Sequence, residues 1–225
     1  MGSPQTLSES DRRIVAAWAA ACAERVLALF EAEAPGDRRP RDAIARTRAF
    51  ARGELAVADE IRRRFVGGGA ARDVRAPAAA AAARAAGQAT AVAHMGAHAL
   101  GAAAYAAKAA GLAAPDLQVA VGQEIRWQLG HMSPPVRAAL RRLPPVARNS
   151  SGPLGPGLLA SGLLGTIIHN LQAALADPKM LSCLAPTVMS DLVSISARPH
   201  AWHAQPIAHD AGSGRRTQSR DMGRH

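Results

Sequence analysis

Two histidines four residues apart, His94 and His98, are the residues whose types and spacing most suggest chemistry. On one continuous helix, positions i and i+4 share a face, as paired imidazoles must if they are to ligate a metal. Glu124 and His131 could complete such a site from a neighbouring helix. Two features weigh against it. Gly96 lies between the histidines and is expected to bend the helix. Glu124 and His131 are seven residues apart, not at the i, i+3 spacing of di-iron bundles. The competing reading is that each imidazole makes a backbone or carboxylate hydrogen bond where two helices meet.

The remaining polar clusters read more simply. Asp59-Glu60 precedes Arg62-Arg63-Arg64, the pattern of i, i+3 and i, i+4 charge pairing on a solvated face. A phosphate contact is the competing use of those arginines. Glu31 and Glu33, at i and i+2, do not face each other and make no acid–base pair. Gly67-Gly68-Gly69 is not followed by the Gly-Lys-Ser/Thr of a phosphate-binding loop. Within the Ala-rich part no serine sits in a nucleophile-elbow pattern. Cys22 lies on an apolar stripe and reads as a small buried hydrophobe. Trp18, Tyr105 and Trp127 read as core anchors with a polar tip. No catalytic constellation emerges and no cofactor is expected.

The elements that must position these residues are helical. Of 225 residues, 54 are Ala and only 7 are aromatic. Ala loses no side-chain entropy in a helix, whereas a sandwich or barrel needs β-branched and aromatic residues on its pleated faces. The expected class is all-α: a compact Ala-rich bundle of about six helices, or stacked helical hairpins, with a poorly ordered C-terminal extension. Residues 1–150 hold 44 of the Ala and residues 151–225 only 10. That change places a domain at 1–147 and a Pro-, Gly- and Ser-containing extension at 148–225.

Periodicity sets the expected elements. A first helix spans about Ser10 to Ala34, with Ile14, Trp18, Ala21, Cys22, Val26 and Leu29 as one stripe. A second starts near Pro40, buries Ile44, Thr47, Phe50 and Ala51, and ends at Gly53. A third spans about Leu55 to Val66. Two Ala-rich helices, 77–93 and 97–112, meet near Met95-Gly96. Another runs from Pro115-Asp116 to Met132, with Val121, Ile125 and Leu129 inward, and a short one covers Val136 to Leu143. Residues 158–176 carry no formal charge, but Ser161, Thr166, His169, Asn170 and Gln172 interrupt them. A docked helix is therefore expected there, not a membrane span.

Compartment and partner follow from charge and cysteine usage. Two cysteines, Cys22 and Cys183, cannot staple a scaffold. Arg12-Arg13 is not followed by the apolar core of a signal peptide. A cytoplasmic protein is expected. The formal charge of +10 would attract nucleic acid or an acidic partner. However, most arginines stand beside Glu or Asp, and the basic stretches lack the interleaved aromatics that stack bases.

Four blocks of residues resemble one bacterial family. Asp11-Arg12-Arg13, Trp18, Cys22-Ala23-Glu24 and Leu29-Phe30-Glu31 form the first block. Asp37, Arg39-Pro40-Arg41, Ala43-Ile44, Arg48 and Ala51-Arg52-Gly53-Glu54 form the second. Ala85-Ala86-Gly87, Ala93-His94, His98-Ala99 and Ala103-Ala104-Tyr105 form the third, and Glu124-Ile125-Arg126-Trp127-Gln128-Leu129 the fourth. Over about residues 11–135 the chain is similar to the immunity-protein-five-like family. The resemblance implies an all-helical, non-enzymatic binding protein that neutralises a cognate toxin in interbacterial competition. Arg is enriched among interface residues that dominate affinity, so Arg48, Arg52, Arg62, Arg63 and Arg64 are candidate anchors. The basic charge favours an acidic or neutral toxin over a nuclease. Two alternatives stand beside this one. The first is a metal-binding helical protein or enzyme using His94, His98 and Glu124. The second is a nucleic-acid accessory protein.

Overall fold

The computed structural model describes residues 3–57 and 69–177. They form eight α-helices and no strand: α1 (Glu9–Arg25), α2 (Leu27–Glu31), α3 (Arg39–Ala51), α4 (Pro77–Ala91), α5 (His98–Ala113), α6 (Leu117–Gly130), α7 (Pro134–Arg141) and α8 (Gly162–Ala176). Short 3₁₀ turns occupy Ala70–Arg72 and Leu158–Ala160. The expected helix from Leu55 to Val66 lies largely outside the described residues, as do Arg62, Arg63, Arg64 and everything after Asp177.

Local chemistry sets the helix ends. Ser8 caps α1 by accepting from the Asp11 N–H at 3.1 Å, and Asp11 adds an acid in the first turn, where the helix dipole favours one. Asp116 caps α6 through the Val119 N–H at 3.0 Å. Pro occupies the first turn of α3, α4 and α7, where its missing N–H costs nothing. The α3 helix ends in a Schellman motif. Gly53 N–H bonds the Phe50 carbonyl, Glu54 N–H bonds the Ala49 carbonyl, and Gly53 takes φ +86°.

The α5 helix explains the Ala-rich centre. It packs against α1, α4, α6 and α8, and Leu100 and every Ala from 102 to 109 are fully buried, with Tyr105 3% exposed among them. A helix apolar all round belongs in a core. Ala on each of its faces lets four neighbours approach closely, while Leu100, Tyr105, Phe30, Phe50, Ile125 and Leu129 supply bulk.

Two expectations need correction. The single first helix breaks at Val26 (φ −110°, ψ 2°) into α1 and α2. The break buries Val26, Leu27 and Phe30 together against the bundle. Trp18, Cys22 and Val26 of the expected apolar stripe are buried, but the stripe is shifted at its first residue and widened onto neighbouring Ala positions. Ile14 is 37% exposed, whereas Val15, Ala16, Ala19, Ala20 and Ala23 are fully buried. Close helix approach selects the Ala face for the core and turns the larger Ile outward.

The chain beyond residue 147 enters the same core. Leu154, Leu164, Ile167, Ile168, Leu171 and Leu175 are all buried, and α8 packs on α5, α6 and α7. A buried amide ties this segment to the N-terminus. Gln5 Nε2–H donates to the Ser151 carbonyl at 2.7 Å, and the Leu154 N–H donates to Gln5 Oε1 at 2.9 Å. Between those two contacts Gly152 takes φ +80°, and a Cβ there would stand 2.7 Å from the Gln5 amide. No helix among the described residues is long and apolar enough to cross a membrane.

Candidate partner-binding groove

The C-terminus of α6 determines how three helices meet. The last four carbonyls of any helix lack intrahelical partners and attract donors. Here Trp18 on α1 donates its indole Nε1–H to the Gln128 carbonyl at 3.0 Å. His131 Nδ1–H donates to the Trp127 carbonyl at 2.8 Å. Arg137 on α7 donates an Nη2–H to the Leu129 carbonyl at 2.5 Å, a cation where the helix dipole favours one. Trp18 and Arg137 thereby tie α1 and α7 to the end of α6, while the His131 bond stays within the cap of α6 itself.

The helices do not close over the seam they share. A groove of about 500 Å³ runs along it, lined by Arg13, Ile14, Ala17 and Ala21 of α1, Ala51 of α3, and Trp127, His131 and Val136. Ile14 and Ala17 are exposed and Trp127 is half-buried. The rings of Trp127 and His131 stack at 4.0 Å with an interplanar angle of 22°. The Arg25 guanidinium lies 4.0 Å from the Trp127 ring, and the Arg13 guanidinium lies 4.5 Å from the Phe50 ring.

A buried polar network joins α1, α5 and α6. Arg25 Nε–H donates to both Glu124 oxygens, at 3.1 and 2.9 Å. Glu124 also accepts from Gln128 Nε2 at 3.3 Å, and Gln128 donates again to the Ala103 carbonyl at 3.0 Å. Gln128 is fully buried and its Oε1 has no hydrogen-bond partner among the described residues. Cys22 lies beside this network. Burial, followed by the nearby Glu124 charge, pushes its thiol well above its ordinary range, so it is an inert part of the core.

The predicted residues fall in several places. The metal geometry requires His94 and His98 on one continuous helix, but the chain turns from Val92 to Ala97. His94 is exposed in that turn, while His98 begins α5 and donates from Nδ1–H to Gln88 Oε1 at 2.8 Å. Glu124 is buried and engaged with Arg25. No three His, Cys, Asp or Glu among the described residues are placed to hold a metal ion.

The guanidinium forks of Arg48 and Arg52 are both occupied. Arg48 pairs with Glu24 through both Nη groups, and Arg52 bonds Glu54 at 2.5 and 2.8 Å. Sequence reasoning missed Arg25, the outward Ile14, and the shared role of Trp127 and His131. The i, i+4 spacing of Trp127 and His131 was a usable signal, since rings so placed meet on a helix surface.

A family model described as "Imm-5 like putative immunity protein" matches residues 5–135. No curated protein and no solved structure matches the chain. The matched residues include every groove-lining residue on α1, α3 and α6, together with the Arg25–Glu124 pair.

Proposed function

Because the chain belongs to the family of Imm-5 like immunity proteins, we propose that it neutralises a cognate bacterial toxin by binding it and covering the toxin's working surface. The protein acts without catalysis, in the cytoplasm, as a rigid helical partner. Residues of the α1–α6–α7 groove make the central contacts, and Arg48 and Arg52 at the end of α3 add peripheral ones. The observation that carries this reading is the grouping of Ile14, Trp127, His131 and Arg25 on one accessible face. Trp and Arg are the residue types that dominate binding energy when clustered at the centre of an interface.

The groove is smaller than an interface. A specific complex buries about 800 Å² on each partner, so contacts extend from the groove onto the flanking surfaces of α1, α3 and α7. Rigidity matters to the mechanism. The Trp18, Arg137 and Glu124 contacts fix the groove before the partner arrives, and preorganisation lowers the ordering cost of association.

Co-expression with the product of the adjacent reading frame tests the proposal. The host should die when that neighbour is expressed alone. It should grow when this protein is present, and the two should purify as a stable 1:1 complex. Toxicity with neither rescue nor complex would defeat the immunity reading for that pair.

A further inference from the structure

We propose that the outward edge of Arg25 is a preformed receptor for a carboxylate side chain of the toxin, and that the groove beside it takes the apolar residue neighbouring that carboxylate. This rests on the toxin-binding reading and specifies its chemistry. Arg25 uses only its Nε–H on Glu124. The two Nη groups make no hydrogen bond among the described residues, although the side chain is 39% exposed. They carry four N–H donors in a planar fork, which matches a carboxylate in bidentate geometry.

The fork is already oriented. Glu124, with only 5% of its side chain exposed, fixes one edge, and the Trp127 ring supports the plane at 4.0 Å. A free surface arginine loses rotamer freedom when it binds, and this one has lost much of that freedom in advance.

The surroundings select an acidic occupant. In the Arg25–Glu124 pair the carboxylate is buried and the guanidinium faces out. The same holds at the α1–α7 seam, where Arg142 is 53% exposed over Asp11 at 21%. Arg137 meets a neutral carbonyl there and not an acid. The neighbouring pairs Arg13–Glu9 and Arg48–Glu24 expose their acids more than their arginines, so Arg25 and Arg142 are the arginines this face turns outward over a more buried acid, on a chain whose formal charge is +10. A carboxylate on the toxin meets complementary potential, which also speeds encounter. Ile14, Ala17 and Trp127 offer the adjoining apolar contact.

The test measures affinity of the purified protein for the product of the adjacent reading frame, with three variants whose melting temperatures are checked first. Arg25→Lys keeps a charge for Glu124 but loses the fork, and should weaken binding about 10-fold or more. Ile14→Asp places an anion in the groove at an exposed position and should weaken binding at least as much, roughly 10-fold. Ile14→Lys should be clearly milder than Ile14→Asp. Equal affinity for the two Ile14 variants, a Lys variant weaker than the Asp variant, or unchanged binding by a folded Arg25→Lys protein would overturn the proposal while leaving the immunity reading intact. Absence of any wild-type complex would remove that reading and this inference with it.

Discussion

The indole N–H of Trp18 donates to the main-chain carbonyl of Gln128 at 3.0 Å, and this bond fastens the middle of α1 to the last turn of α6. Trp18 is 4% exposed, so the bond is largely shielded from water. Trp18→Phe keeps most of the apolar area but leaves the Gln128 carbonyl without its donor. It should cost about 1–3 kcal/mol, the penalty of an unpaired buried group. Trp18→Ala should cost more, about 3–5 kcal/mol, because a cavity is added. Denaturant titration of the two variants measures the difference. Equal stability of Trp18→Phe and the wild type would contradict the role given to this bond.

The Gln5 latch predicts that the segment after residue 147 is needed for stability. Each buried Leu or Ile contributes about 1.5–3 kcal/mol. A chain ending at Ala147 loses Leu154, Leu164, Ile167, Ile168, Leu171 and Leu175 from the core. That loss is comparable to the whole stability of an ordinary domain, about 5–15 kcal/mol. The truncated chain should lose its cooperative thermal transition. In the full chain, Gln5→Ala should cost about 1–3 kcal/mol, and Gly152→Ala should also destabilise because its φ is +80°. A truncated chain melting like the full protein would show that α8 adds nothing to the fold.

Asp11 predicts an acid-side dependence of stability. The Ser8 hydroxyl donates to its Oδ2 at 2.6 Å, and Arg142 meets Oδ1 at 2.5 Å. The Ser8 bond first, and then Arg142, hold this carboxyl below its ordinary 3.8 against an opposing effect of burial. A carboxyl with a depressed folded-state pKa contributes stability above its unfolded value and loses it as pH falls through the folded value. Asp11→Asn should therefore be less stable than wild type at neutral pH, and the gap should narrow below about pH 4. Melting temperatures at a series of pH values check this. A gap that widens on acidification would contradict it.

Cys22 should be protected from alkylation in the native protein. It is fully buried and its thiol is pushed well up by desolvation, and the thiolate is the reactive form. Peptide-resolved mass spectrometry after iodoacetamide treatment should show Cys22 modified only as denaturant unfolds the chain. Rapid labelling under native conditions would place it outside the core.

Most of the helical frame was legible in the sequence. Pro40, Pro77, Pro134, Asp116 and Gly53 mark helix ends by chemistry that acts within a few residues. The stripe Val121, Ile125 and Leu129 identified its buried face through the 3.6-residue period. The failures have separate physical causes. Ala carries little hydrophobic signal, so the rule that the largest apolar residues face inward placed Ile14 in the core. The fold instead packs the Ala face of α1 closely against its neighbours. The break at Val26 follows from tertiary burial of Leu27 and Phe30, and no glycine or proline announced it. The groove was hidden for a related reason. Its residues come from α1, α3, α6 and α7, and only assembly brings Ile14 to Trp127 or leaves the Arg25 fork facing outward. The docking of α8 was anticipated as a helix on the bundle. The tie of the preceding loop, at Ser151 and Leu154, to Gln5 across almost 150 residues has no local signature.

The central claim is that the toxin sits on the α1–α6–α7 groove, and hydrogen–deuterium exchange of the 1:1 complex tests it most directly. Binding should slow exchange in peptides covering residues 13–25 and 127–137, with a weaker effect along α3 near Arg48 and Arg52. Peptides from α4 and α8 should exchange as in the free protein. Protection centred on α4 or α8, with the groove peptides unchanged, would contradict the account.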